Sequence, residues 1–251
     1  MRPTRIRDFT MKKIFYEFIG MTFVLGIFAG CISCSISGIK GNGNLKTLER
    51  PVSAFEKITC AGAVEVRFHA GETYRAIVTV DENLDEYVEI YTKNNVLNIG
   101  TKKGHSYSFT KFWVDVYSPV LTSVSINGSG SFEGIDKIAA STFESNISGS
   151  GKIEGTIESD HFSATISGSG KITFAGASKD ANIDISGSGD FNGNELNVKN
   201  ATVNISGSGT ANIYADDNLQ ANIAGSGNIN YRGEAKIDSK IAGSGRIKNV
   251  K

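Results

Sequence analysis

Residues whose chemistry could matter are sparse in this 251-residue chain. Cys31 ends the run Phe28-Ala29-Gly30-Cys31, which has the form of a bacterial lipobox, in which export is followed by cleavage before the cysteine and attachment of lipid to it. Phe28 stands where Leu is usual, and Glu17 is an awkward charge at the edge of the apolar segment, so a plain signal peptide or a single N-terminal anchor helix is the alternative. Cys34 and Cys60 are too few for a disulfide framework, and Cys60, within Ile58-Thr-Cys-Ala, reads as a small buried hydrophobe. The three histidines, His69, His105 and His161, are too scattered to predict a metal site, and no Ser-His-Asp set can be placed. The most distinctive stretch is Lys102-Lys-Gly-His-Ser-Tyr-Ser-Phe-Thr-Lys-Phe-Trp113. Lys102, Lys103, His105, Tyr107, Phe109, Lys111 and Trp113 combine cations with ring faces, a composition suited to stacking on sugars or meeting an anionic partner. The competing expectation is a hairpin whose aromatics fold onto the N-terminal coils.

Other motifs fail on inspection. Gly149-Ser-Gly-Lys and Gly168-Ser-Gly-Lys look like fragments of a phosphate loop, but at the first of them Asn146 and Ile153 occupy the places where that loop needs Gly and Ser or Thr. Gly187-Ser-Gly-Asp lacks the tandem nonapeptides of a calcium-binding β-roll. Asp180 with Asp184, or Asp216 with Asp217, could serve a carbohydrate-active enzyme, although acids at solvent-facing strand positions ordinarily only solvate the surface. No cofactor and no metal are expected.

The elements that position these residues come from a repeat. Gly-Ser-Gly begins at Gly128, Gly149, Gly168, Gly187, Gly207, Gly225 and Gly243, at intervals of 21, 19, 19, 20, 18 and 18 residues. Two positions before each first glycine stands an isoleucine, from Ile126 to Ile241, and apolar or small residues recur backward from it in steps of two. That period means a strand with one face inward. Where the middle residue is small, as at Ser145 and Ala164, the one before it is Phe143 or Phe162, which conserves volume in a stacked core. Apolar residues resume after each turn at Phe132, Ile153, Ile172, Phe191, Ile229 and Ile247, while the fifth copy slips to Ile213 behind Ala211. Two strands joined by an identical glycine corner, repeated in register, predict an all-β fold in which each repeat is one coil of a parallel β-helix or β-solenoid. Seven coils would make a rod segment roughly 30 Å long. An up-and-down barrel is the alternative.

Composition agrees with a turn-rich β protein: 29 glycines, only 3 prolines, 39% hydrophobic residues. Acids and bases balance at 26 each, and without the first thirty residues 21 bases and 24 acids remain, which argues against a nucleic-acid partner. Residues 1–30 read as a signal peptide, with Met11-Lys-Lys-Ile as an alternative start and an apolar stretch from Phe18 to Ala29 too short to span a bilayer comfortably. Residues 31–50, rich in Gly, Ser and Asn, read as lipid anchor and flexible linker, and 51–251 as the domain. Within 51–120 the alternation predicts strands, with one short helical candidate at Asp81–Val88 for which Asp81 is the N-cap.

Pro51-Val-Ser-Ala-Phe-Glu-Lys-Ile, Ala61-Gly-Ala-Val-Glu-Val, Asp81-Glu-Asn-Leu, Leu97-Asn-Ile-Gly-Thr-Lys and the Ile-Ser-Gly-Ser-Gly repeats occur in the order found in the GIN domain, the auto-transporter adhesin head domain, and roughly Arg50 to Lys251 resembles that family. The resemblance implies a right-handed parallel β-helix, export, frequent lipid anchoring and an origin in the Bacteroidetes, and it carries over no catalytic residues. The expectation is therefore a non-enzymatic, lipid-anchored outer-membrane protein on the periplasmic or cell-surface face, an adhesin or binding module for a glycan or protein partner. Alternatives are a β-helix polysaccharide lyase or hydrolase and a purely structural envelope module, and homo-oligomerisation stays open at the exposed strand edges, which Arg246, Lys248 and Lys251 mark with charge at one end. Labelled palmitate should enter the wild-type protein in bacteria and be absent from Cys31→Ala; label persisting in the variant removes the anchor assignment.

Overall fold

Strands occur earlier in the chain than the composition suggests. The computed structural model describes residues 38–250, and the stretch up to Arg50 that reads as linker contains β1 (Ile39–Lys40) and β2 (Leu45–Arg50). β2 lies antiparallel along β5 (Arg75–Asp81), with the Thr47 and Thr79 hydroxyls 2.9 Å apart, Leu48 against the core, and Arg50 and Lys46 paired with Asp85. The domain therefore starts ahead of Pro51. Gly41-Asn-Gly-Asn hides this, because it looks like tether while it only turns the chain onto an edge that would otherwise stand bare.

The segment up to Ser118 is part of the stack. β3 (Lys57–Gly62) and β4 (Glu65–Ala70) are the two sides of a coil bent at Gly62. Beyond β5, the helical candidate is a 3-10 turn at Glu82–Tyr87, followed by β6 (Val88–Lys93) and β7 (Val96–Thr101), which form an antiparallel hairpin through Asn94 and Asn95, both at positive φ. After β8 (Tyr107–Ser108), which pairs with β1, comes β9 (Phe112–Ser118). β7 runs parallel to β3 and β9 parallel to β4, so β7 and β9 are the two sides of a further rung beneath the coil at Gly62. β2, β5 and β6 add antiparallel strands that finish this end.

From there the chain winds regularly. Its strands are β10 (Ser123–Gly128), β11 (Ser131–Gly134), β12 (Ile138–Ala139), β13 (Thr142–Gly149), β14 (Lys152–Gly168), β15 (Lys171–Gly187), β16 (Asp190–Gly207), β17 (Thr210–Gly225), β18 (Asn228–Arg232), β19 (Lys236–Gly243) and β20 (Arg246–Asn249). Every pairing among them is parallel, and the first glycines stand in one column from Gly62 through Gly128 to Gly243. This is a β-solenoid and not an up-and-down barrel. Inside, the isoleucines from Ile126 to Ile223 are buried, and Phe143 stacks on Phe162 with ring centroids 6.3 Å apart. Phe191 lies opposite Ala211 while Gly193 lies opposite Ile213, so the slipped fifth copy exchanges large and small between neighbouring columns. The longer interval before Gly207 is absorbed as a bulge on β16, where Asn192 to Glu195 lies opposite Thr173 to Ala175 of β15.

The corners explain the repeat. At the seven Gly-Ser-Gly phrases the first glycine has φ between +119° and +132°, a region that residues with a Cβ rarely adopt. At Gly187 an added methyl carbon would lie 2.5 Å from the carbonyl oxygen of Gly168 in the coil before. The second glycine is enclosed differently: at Gly151 a Cβ would lie 2.7 Å from Cγ2 of Ile126. Between them the serine is exposed, and its backbone N–H donates to the first glycine of the preceding coil, as from Ser150 to Gly128 at 2.9 Å and from Ser188 to Gly168 at 2.9 Å. Gly187→Ala should therefore destabilise the domain by about 1–3 kcal/mol from backbone strain alone, and Ser188→Ala by no more than ~0.5 kcal/mol. Urea unfolding midpoints that are equal for the two variants would contradict this account of the corner.

Candidate functional site

The residues from Lys102 to Lys111 replace a corner. β7 approaches the edge as β3 does, and β9 leaves it as β4 does, but in place of a tight glycine turn the chain makes a ten-residue excursion over the end of the column. Its fixed points are few and specific. The Lys102 N–H donates to the carbonyl of Tyr87 at 2.9 Å, and the Tyr107 hydroxyl donates back to the carbonyl of Lys102 at 3.0 Å. Tyr87, His105, Tyr107, Phe109 and Phe112 form a run of neighbouring rings with centroids 4.8 to 6.1 Å apart, of which Phe112 alone is buried. Lys102, Lys103, His105 and Lys111 are exposed. A hollow of about 460 Å³ lies between the excursion and the first corners, lined by Tyr107, Phe109, Lys111, Glu65 and Ser129 among others.

Asp81 holds this arrangement. The expected N-cap makes no capping hydrogen bond, and its carboxylate turns inward, fully buried, where it accepts the N–H of Gly43 at 2.9 Å and of Thr110 at 2.7 Å. Gly41 packs so closely on it that a Cβ there would overlap the carboxyl group. Burial alone pushes the Asp81 pKa up, but the N–H groups of Thr110 and Gly43, with the Thr110 hydroxyl and the Lys111 N–H, together hold it below the ordinary value of 3.8. One carboxylate thus ties the entering chain, the end of β5 and the excursion together.

Trp113 stands apart from the other candidates. It turns outward on β9 while Phe112 and Val114 turn in, and the Arg67 guanidinium lies over its ring, 5.1 Å from the centroid. Two residues along at each step come Asp115 and Tyr117, the first with an oxygen 3.3 Å from His69 Nε2 and the second stacked on the His69 ring at 4.7 Å with Arg75 over it at 5.3 Å. This strip of planes on β4, β9 and β5 has partners that sequence reading missed: Arg67, His69, Arg75, Asp115 and Tyr117. Alternation along Val66-Arg-Phe-His and Phe112-Trp-Val-Asp-Val-Tyr marks them as outward, but which strands lie side by side is set by long-range pairing.

The carboxylates considered for catalysis sit in ladders. Asp180 accepts from Asn200 at 2.9 Å, has His161 Nδ1 3.1 Å from its other oxygen, and Asn218 continues the row by donating to Asn200 at 2.8 Å. Asp184 accepts from Asn204 at 2.9 Å and from Asn182 at 2.7 Å, and Asn222 donates to Asn204 at 2.9 Å. Asp216 and Asp217 are exposed on β17, just ahead of Asn218. Among the described residues no group of three or more His, Cys, Asp or Glu side chains is placed to hold a metal ion. Cys60 is buried with its thiol pushed up to about 12 by burial, so it packs in the isoleucine column as a hydrophobe. Cys31 and Cys34 lie outside the described residues.

Residues 54–235 match the family model described as "Putative auto-transporter adhesin, head GIN domain". No curated protein matches the chain significantly. Among solved structures, a "putative adhesin" from Bacteroides fragilis aligns with a TM-score of 0.81 at 21% identity, over 85% of this chain and all of its own. A "Putative lipid binding protein" from Parabacteroides distasonis aligns at 0.72 and 29% identity, over 85% of this chain and 99% of its own. A "putative adhesin" from Parabacteroides merdae does so at 0.70 and 29%, with the same coverage.

Because the folded-state pKa of Asp81 lies below its unfolded value, its contribution to stability is complete above 3.8 and is lost as the pH falls through the lower folded value. Asp81→Asn should be less stable than wild type by about 2 kcal/mol at neutral pH, with the gap in chemical denaturation closing below pH 3.8. A gap that does not change with pH would contradict the latch.

Proposed function

The chain belongs to the GIN-domain family of auto-transporter adhesin heads, and from that premise we propose that it is a non-enzymatic adhesin-type binding protein of the cell envelope, exported by residues 1–30 and held in the outer membrane by lipid on Cys31. The observation that carries the binding role is the strip of ring and guanidinium planes on β4, β9 and β5, where Trp113 and Tyr117 present side by side with Arg67, His69 and Arg75. Ring planes set among polar groups suit a carbohydrate, because a sugar ring stacks on the aromatic plane while its hydroxyls meet the surrounding donors and acceptors, and Arg67 and Arg75 are themselves held by Glu65 and Glu49. A sheet face is rigid, so the partner meets side chains already in position.

Two further points support this reading over a polysaccharide lyase or hydrolase. Asp180 and Asp184, the acids such an enzyme would draw upon, each have polar partners on both oxygens within the ladders. The proteins of Bacteroides fragilis and Parabacteroides merdae, each described as a "putative adhesin", have the same fold, and the second is 29% identical to this chain. The lipid named for the Parabacteroides distasonis protein belongs to that protein.

A glycan array probed with the 38–251 unit should give hits weakened at least ~10-fold, or ~1.4 kcal/mol, by Trp113→Ala and by Tyr117→Ala. An empty array, or hits indifferent to both substitutions, overturns the assignment of this strip.

A further inference from the structure

The chain enters the rod at the excursion. The Ile39 N–H donates to the carbonyl of Ser106 at 2.8 Å and the Gly41 N–H to that of Ser108 at 2.9 Å, which makes β1 a parallel partner of β8. Gly38, the first described residue, packs against Ser106 and is seven positions after Cys31. Seven residues reach at most about 25 Å when fully extended. Any lipid on Cys31 therefore holds the end of the domain that carries the excursion within about 25 Å of the bilayer surface.

The excursion has the chemistry for that neighbour. Lys40, Lys102, Lys103 and Lys111 are exposed around it, no acidic residue occurs from Lys102 to Lys111, and Glu89 is the acid that Tyr107 senses from β6. Tyr87, Tyr107 and Phe109 are half-buried, each with part of its ring outside the core, and the Tyr107 hydroxyl is engaged on the polar side. Cations attract anionic headgroups over about a Debye length, and amphipathic rings favour the boundary between headgroup and acyl chain. Lipid chains joined to a basic patch hold a protein to a bilayer more firmly than either does alone.

We propose that the Lys102–Lys111 excursion, together with Lys40, is a membrane-resting surface for anionic lipid headgroups that sets the orientation of the rod. This rests on the lipid-anchor reading for its geometry. It assigns these residues to the bilayer and leaves the Trp113 strip for the partner. Asp81 acts as the positioning residue, since it fixes the entering chain and the excursion to each other.

The test uses mature full-length protein on vesicles of phosphatidylcholine alone or mixed with phosphatidylglycerol, with lysine reactivity toward an amine reagent read by mass spectrometry. Lys102, Lys103 and Lys111 should become at least ~3-fold less reactive on the anionic vesicles, with the protection lost at high salt. Lys236, Lys240 and Lys248, on the last coil, should not respond. Lys102→Glu with Lys103→Glu should abolish the protection at Lys111. Reactivity that is the same on both kinds of vesicle overturns the proposal. A parallel arm replaces Cys31 by an N-terminal histidine tag on nickel-chelating lipid: protection here with no palmitate on the natural protein would sink the anchor while sustaining the patch, and its absence in both arms sinks the patch.

Discussion

One backbone contact governs the whole domain: the carbonyl of each corner glycine lies where the Cβ of the glycine above it would be, and accepts the N–H of the next residue. Such closeness is open only to glycine, and it removes any freedom for one coil to slide on the next. Because register is fixed there, each inward position becomes a column of like residues and each outward position a row. Isoleucine columns and stacked phenylalanines fill the interior, and on the surface the rows Asp180-Asn200-Asn218 and Asp184-Asn204-Asn222 pass hydrogen bonds from coil to coil.

The ends are handled differently. At the last coil every residue of β19 is exposed, with Ile237 and Ile241 at 41% and 45% exposure and charge supplied by Lys236, Lys240 and Arg246. At the first coils the edges are finished by antiparallel β2, β5 and β6, and the corner opens into the Lys102–Lys111 excursion. The regular coils thus provide length, and the special chemistry collects at the end where the chain enters. Trp113 and Tyr117 owe their outward aim to β9, whose inner residues Val114 and Val116 are fully buried.

Local patterns in the sequence already contain the solenoid. Seven identical corners and a period of two specify parallel coils and most of the core, down to the pairing of Phe143 with Phe162. What the patterns do not contain depends on partners distant in the chain. Gly62 is a corner of the same column, but Ala61-Gly-Ala carries no second glycine to announce it. Leu45–Arg50 becomes a strand only because β5 offers an edge. Asp81 looks like a cap from its neighbours, whereas its ligands, Gly43 and Thr110, come from 38 and 29 positions away. The basic and aromatic stretch was visible as a composition, yet its division into an excursion and an outward tryptophan follows from β9 pairing with β4 and β5.

The stacked column of corners can be measured directly with spin labels on the exposed serines of the 38–251 unit, since the buried Cys60 thiol will not react. Electron–electron double resonance from Ser129→Cys to Ser208→Cys, Ser226→Cys and Ser244→Cys should give mean distances rising by about 4.8 Å per coil, near ~19, ~24 and ~29 Å. Distances that do not climb evenly with coil number would contradict the stack and every face derived from it.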